Sequence, residues 1–325
     1  MERAYLGETG IRVSRIILGC GNFGGVGSAP AFFGQGETRE EAFTVMDAAW
    51  EAGITTFDTA DAYGGGRSES WIGDWLRTKG PEVRERIVLS TKTFNPMADG
   101  DDHGLAPARV RRQLESSLRR LGVERVGMYL AHAWDPDVPV AETLGVFGEL
   151  VAAGKAGAVG ASNVDGTRLL EALDASATHG LVRFEWVQNS YSLLDREPEQ
   201  EVLQLCADRG LGFTPFSPLG GGWLTGKYRR GETAPAGSRM TTRPEPYLHR
   251  LDDDSVWRGL DGLAAAAGER GTTAAALALA WLLADPRVTA VILGPRRPEH
   301  LEPALAALAA PLSERERAEL SALFA

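Results

Sequence analysis

Eight short apolar runs recur along this chain, each followed by a segment with helical spacing. That alternation restricts the fold more than any other feature. The runs are Arg15–Leu18, Thr55–Phe57, Ile87–Ser90, Val126–Leu130, Ala156–Gly160, Phe184–Gln188, Gly212–Pro215 and Thr289–Leu293. They show little alternation of polar and apolar residues, as in strands covered on both faces. Strands and helices in turn argue a parallel α/β sheet. Eight such units in 325 residues favour a closed (β/α)8 TIM barrel, one domain over 1–325, rather than an open sheet.

The intervening segments read as amphipathic helices. Thr38 to Glu41 forms a capping box, and Phe43, Met46, Ala49 and Trp50 follow at helical spacing. Pro107 suits a first helical position, with Val110, Leu114, Leu118 and Leu121 on one face behind it. The apolar stretch Thr272 to Ala284 is shorter than the roughly 20 residues that span a bilayer, so it reads as a buried helix. Ahead of Arg15, Thr9-Gly10 marks a short β-hairpin placed to plug the barrel floor. The glycines of GCGNFGG (19–25) run into further loop rather than opening a helix, which weakens a Rossmann reading. Phe216 to Leu251 is a long irregular stretch, expected with extra loops at the C-terminal face, and a loop of that length is usually functional.

Charge and cysteine content narrow the function classes. The net charge of −10 argues against a nucleic-acid footprint and leaves room for a local basic pocket holding one phosphate. Two distant cysteines, Cys20 and Cys206, make neither a disulfide framework nor a zinc site. The start, MERAYLGETG, has no apolar signal segment, so a cytoplasmic location without membrane attachment is expected.

A parallel barrel gathers the C-terminal ends of its strands at one mouth. In order, those ends carry Asp58 with Tyr63 in its loop, Lys92, His132, Ser162 with Asn163, Gln188, the stretch TPFSPLGGG (214–222), and Gly294 with Arg296. Singly, each has a plain structural reading: an Asp there is commonly a helix N-cap, and a Lys a solvated tip. An acid, a phenol, an ammonium and an imidazole at three consecutive strand ends make chemical sense together. A free phenol has a pKa near 10. A neighbouring cation lowers it, and a carboxylate keeps that cation charged. An imidazole orients a carbonyl oxygen. Such a set protonates an oxygen as charge develops on it. The five histidines form neither H-x-H nor H-E-x-x-H, so no metal is expected; Asp99, Asp101, Asp102 and His103 read as an acidic loop tip.

The chain resembles an aldo-keto reductase. The resemblance lies in FDTADAYGGGRSE, VLSTKT, YLAHAWDP, VGASN, VQNSYSLLDRE, TPFSPLGGGWLTGKY and ILGPRRPEHL, in the family's order, and it runs from residue 5 to about 308. It implies hydride transfer between NADPH and a small-molecule aldehyde or ketone. Tyr63 would be the general acid, Lys92 would lower its pKa, Asp58 would pair with Lys92, and His132 would orient the carbonyl. Ser162, Asn163 and Gln188 would hold the nicotinamide amide, and Phe216 would stack on its ring. Ser217, Leu219 and Gly221 would wrap the pyrophosphate. Gly21 and Asn22 would border the ribose, with Asp58 and Gly294 also beside the cofactor. Arg296 matches the position that meets the 2′-phosphate of NADP, with Arg297 next to it. His300, standing where the family commonly has Gln, would bind the adenosine end of the cofactor; Pro303 and Ala304 replace a Glu-Asn pair that would also contact it, and they make no such hydrogen bonds. NADP preference therefore rests on Arg296.

Substrate choice is expected in the loops, with Phe23, Phe94, Trp134 and Trp223 beside Tyr63 and His132, and Phe32, Phe33 and Tyr247 completing an apolar wall. The same chemistry run backwards, as alcohol or sugar oxidation, and a cofactor-binding regulatory subunit are the alternatives. Nothing in the sequence sets the oligomeric state.

Overall fold

The first residues pair with each other rather than with the main sheet. Strands β1 (Arg3–Tyr5) and β2 (Arg12–Ser14) run antiparallel, and Thr9 Oγ1 donates to the Leu6 carbonyl at 2.7 Å across the turn. The computed structural model describes all residues, 1–325. Eight strands follow: β3 (Ile16–Gly19), β4 (Thr56–Asp58), β5 (Val88–Thr93), β6 (Val126–Ala131), β7 (Ala156–Ser162), β8 (Trp186–Gln188), β9 (Gly212–Phe213) and β10 (Val291–Leu293). From β3 to β9 each pairs in parallel with the next, and β10 pairs in parallel with β3. Between β9 and β10, Thr289 N donates to Phe213 O at 2.8 Å and Ile292 N to Pro215 O at 2.9 Å, which closes the ring. The (β/α)8 TIM barrel expected from the sequence is present, and so is the hairpin.

Two apolar layers hold it. Ile17, Met128, Leu130, Trp186 and Ile292 fill the lumen, and Leu6 and Val13 of the hairpin pack beneath them. The hairpin is therefore a floor plug. Outside, strand residues of opposite parity, such as Ile16, Phe57, Leu89 and Tyr129, pack with the helices. The Thr38 capping box starts the helix Arg39–Glu51, and Pro107 opens Pro107–Leu121, which ends at Gly122 with φ 68°. In the helix Ala274–Leu283 every residue from Ala275 to Leu282 is buried. No helix is long and apolar enough to cross a membrane.

The long loop from Phe216 is pinned rather than slack. It contains 3-10 turns at Gly220–Thr225 and Glu245–Arg250 and a single helical turn at Arg239–Thr242. Trp223, Tyr228 and Trp257 form a buried aromatic knot under it, with the Trp223 ring centroid 5.2 Å from each of the other two. Arg250, also buried, donates to Gly220 O at 3.0 Å and to Asp195 Oδ1 at 2.5 Å.

Candidate active site

Strand periodicity of two places the polar residues. Asp58, Lys92, His132, Ser162 and Gln188 share the inward parity of the lumen residues and sit one step above them at the mouth. Lys92 Nζ donates to Asp58 Oδ2 at 2.6 Å and to Thr59 O at 2.8 Å. Asp58 Oδ1 accepts from Ser90 Oγ at 2.8 Å and Gln188 Nε2 at 3.1 Å. The Tyr63 ring lies 5.1 Å from Lys92 Nζ and 5.5 Å, edge to face, from the His132 ring. Gly21 borders the phenol; a Cβ there would touch the ring at 3.5 Å. The four residues singled out for proton chemistry are brought together.

Burial dominates the electrostatics. It would lower the Lys92 ammonium, but Asp58 and Tyr63 outweigh it and hold the group above its ordinary value. Burial raises the Tyr63 phenol, and Lys92 opposes that only in part. The sequence led to the expectation of a lowered phenol. The difference arises chiefly because burial outweighs the ammonium's field, and the Asp58 charge adds to it. The phenol thus keeps its proton. Burial, with Lys92 second, drives the His132 imidazolium well below its usual range, so the ring is neutral. Asn95 Nδ2 lies 3.2 Å from His132 Nδ1. With the amide as donor, Nδ1 accepts and the ring proton sits on Nε2. Arg109 fixes Asn95 through its carbonyl at 2.7 Å.

Beside this set, Ser162 Oγ donates to Gln188 O at 2.7 Å, and Asn163 Nδ2 donates to His132 O at 2.9 Å. Asn163 and Ser217 are the two non-glycine residues with positive φ, 56° and 54°. Backbone held in that region concentrates at functional sites. Phe216 N donates to Asn189 O at 3.0 Å, which sets the start of the long loop. Leu219 precedes three glycines, 220 to 222, with φ of 55°, 69° and 92°. A Cβ at Gly221 would strike the Tyr247 ring at 2.4 Å.

Cations collect next to that glycine run. Burial first, then the charges of Arg239 and Arg296, lower the Lys227 ammonium. Arg239 hydrogen-bonds Asn22 Oδ1. Arg296 donates from Nε to Glu37 Oε1 at 2.5 Å and from Nη1 to Gly237 O at 2.6 Å, and its backbone N donates to His300 Nδ1 at 3.2 Å. Gly294 lies 3.8 Å, measured from a built Cβ, from Asn22 Nδ2. A glycine nest beside mutually repelling cations, in a chain of net charge −10, fits a phosphate-bearing dinucleotide.

Some expected residues sit elsewhere. Trp223 is fully buried in the aromatic knot and presents nothing to the mouth. Phe23 is likewise fully buried in the outer core. Large rings stabilise most by complete burial, and both positions had a deep pocket within reach. Phe94 and Trp134 remain partly exposed, with Phe94 edge-on to His103 at 6.1 Å. Asp102 pairs with Arg112. Asn95, Glu37, Lys227 and Arg239 were not singled out from the sequence; no local motif marks them.

Comparison with known proteins agrees with this geometry. The Aldo/keto reductase family pattern matches residues 15–324. The "Uncharacterized oxidoreductase YrpG" of Bacillus subtilis is 38% identical over 95% of this chain and 91% of its own length. The "NADH-specific methylglyoxal reductase" of Escherichia coli is 33% identical over 97% of this chain and 96% of its own. A "Probable voltage-gated potassium channel subunit beta" of rice is 34% identical over 90% of this chain and 87% of its own. With a barrel of this topology, the phenol–ammonium–carboxylate set in its lumen and a family match over nearly its whole length, the chain belongs to the aldo/keto reductase family.

Proposed function

We propose that the protein reduces an aldehyde or ketone to an alcohol with NADPH, Tyr63 giving the proton. The buried chain Asp58–Lys92–Tyr63 with His132 against the phenol is the observation that carries this reading. A nicotinamide cofactor, when bound, would supply the hydride that reduces the carbonyl carbon. The carbonyl oxygen then takes the Tyr63 proton, Lys92 stabilises the phenolate left behind, and solvent restores the proton. His132, held neutral, donates from Nε2 to the same oxygen and fixes its position. Ser162, Asn163 and Gln188 would hold the carboxamide, and Phe216 would back the ring. Ser217, Leu219 and Gly221 would follow the pyrophosphate, with Gly21, Asn22 and Gly294 at the ribose. Arg296, with His300 bracing its backbone, would meet the 2′-phosphate; a guanidinium suits that group through paired N–H donors. Phe94 and Trp134 contact the substrate.

The protein is proposed to work in the cytoplasm on small molecules. A relative named as NADH-specific means family membership alone does not select the cofactor. The relative named as a channel subunit supports a second reading, a cofactor-sensing subunit. The complete proton-transfer set favours turnover. Following NADPH consumption with a panel of aromatic and aliphatic aldehydes, wild type beside Tyr63→Phe, tests the proposal. Loss of about 10²-fold or more in the variant, with NADPH still bound, supports it. Tight NADPH binding without turnover in either protein turns the reading toward the sensing subunit.

A further inference from the structure

Glu37 sits just ahead of the helix Arg39–Glu51, yet its charge points inward. It is 4% exposed. Its backbone is fixed on the first mouth loop: Glu37 N donates to Asn22 O at 2.9 Å, and its carbonyl accepts from Gly24 N at 3.1 Å. Oε1 takes the Arg296 Nε–H at 2.5 Å, while Oε2 is buried with no partner at all. A buried carboxylate oxygen without a donor is costly, and it is the place where an arriving donor gains most. Ser238 Oγ, next to the Gly237 carbonyl that Arg296 also engages, is a second buried polar atom without a partner. Arg296 keeps Nη2 free of protein partners.

We propose that Glu37 sets cofactor choice: it is a built-in counter-anion to Arg296 that disfavours a 2′-phosphate and favours a free 2′-hydroxyl. The inference rests on the reading that Arg296 faces the 2′ position of the adenosine ribose. A phosphate brought to the free edge of Arg296 lies close to a carboxylate that water cannot screen. A hydroxyl there donates to Oε2 and removes its deficit. Arg296 thus attracts the phosphate while Glu37 cancels most of that attraction, so NADPH holds only a narrow advantage over NADH in the native chain. Arg239 adds a cation on the same side, hydrogen-bonded to Asn22 rather than to Glu37.

The test is a pair of titrations, NADPH and NADH, read by quenching of tryptophan fluorescence in wild type, Glu37→Gln and Arg296→Ala, with melting curves confirming that each is folded. Glu37→Gln is expected to lower the NADPH Kd about tenfold, the size of one removed charge contact at partial screening, and to leave NADH unchanged or weaker. Glu37→Asp, which withdraws the charge without removing it, gives a smaller shift of the same sign and serves if Gln does not fold. An unchanged NADPH/NADH ratio in Glu37→Gln, or a selective loss of NADPH, overturns the inference; the latter makes Glu37 a support for Arg296. Either result leaves the reductase reading standing, because both cofactors still bind. If wild type binds neither, or Arg296→Ala weakens both equally, the placement of Arg296 falls and this inference with it.

Discussion

Lys92 Nζ donates to Asp58 Oδ2 at 2.6 Å, and the lysine side chain is wholly out of reach of water. The pair lies beneath Tyr63 and largely neutralises itself, and burial keeps the proton on the phenol until an oxygen beside it becomes basic. Replacing Asp58 by Asn leaves a buried ammonium without a countercharge. The expected cost is about 3–5 kcal/mol in urea unfolding. Turnover should fall by about 10²-fold or more. A variant that unfolds at the wild-type urea midpoint would show that something other than Asp58 holds Lys92.

Asn95 Nδ2 lies against His132 Nδ1, and with the amide as donor the ring proton falls on Nε2. Replacing Asn95 by Leu removes the donor to Nδ1 and lets the ring sample the other tautomer, which lacks the Nε2 proton that the proposed mechanism requires. kcat/KM is expected to drop about tenfold, the loss of one charge-directed hydrogen bond. Nitrogen-15 NMR of the histidine ring reads the tautomer directly. An Asn95→Leu spectrum identical to wild type would remove Asn95 from the proton chemistry.

The barrel was legible because its signal is local. Each strand is a short apolar run, and a period of two carries Asp58, Lys92, His132, Ser162 and Gln188 to the lumen once those runs are placed. The partners that tune these groups are not local. Asn95 meets a histidine 37 positions away, and Arg296 meets a carboxylate 259 positions away. Neither pairing leaves a mark in neighbouring residues. The aromatic rings of the loops were ambiguous for another reason: a tryptophan in a loop fits a wall or a knot equally well until the depth beneath it is known.

Trp223 decides between those two roles. Packed between Tyr228 and Trp257, it anchors the loop that carries the glycine nest. Trp223→Ala should destabilise the protein by about 3–5 kcal/mol. It should also weaken cofactor binding, since the nest loses its floor. Unaltered stability with a changed preference among aldehydes would return Trp223 to the substrate wall.

Gly221 is required by both backbone and space. Its φ of 69° and the Tyr247 ring 2.4 Å from any Cβ make Gly221→Ala doubly unfavourable. The expected outcome is a cofactor Kd raised about tenfold, with kcat at saturating cofactor reduced far less, since the proton-transfer set is untouched. The split between Kd and kcat is the measurement; equal losses in both would mean that the loop shapes the lumen as well.

Asp61 gives the fold a pH dependence of its own. It is fully buried behind β5, with Oδ2 accepting from Thr93 Oγ1 at 2.7 Å and Oδ1 unpartnered. Burial pushes its carboxyl up to about 7 from 3.8; the Thr93 hydrogen bond opposes this, Glu69 adds to it, and Arg109 and Arg120 oppose it further. Between those two values the folded chain holds a proton that the unfolded chain has released. The stability due to this group is therefore fully present below about pH 4 and is lost as pH rises toward 7. Asp61→Asn removes the titration while keeping an acceptor for Thr93. Relative to wild type, the variant's Tm should rise by a few degrees between pH 5 and pH 8. A Tm difference that stays flat over that range would mean that Asp61 ionises normally in the folded protein and that its neighbours, not its burial, set its charge.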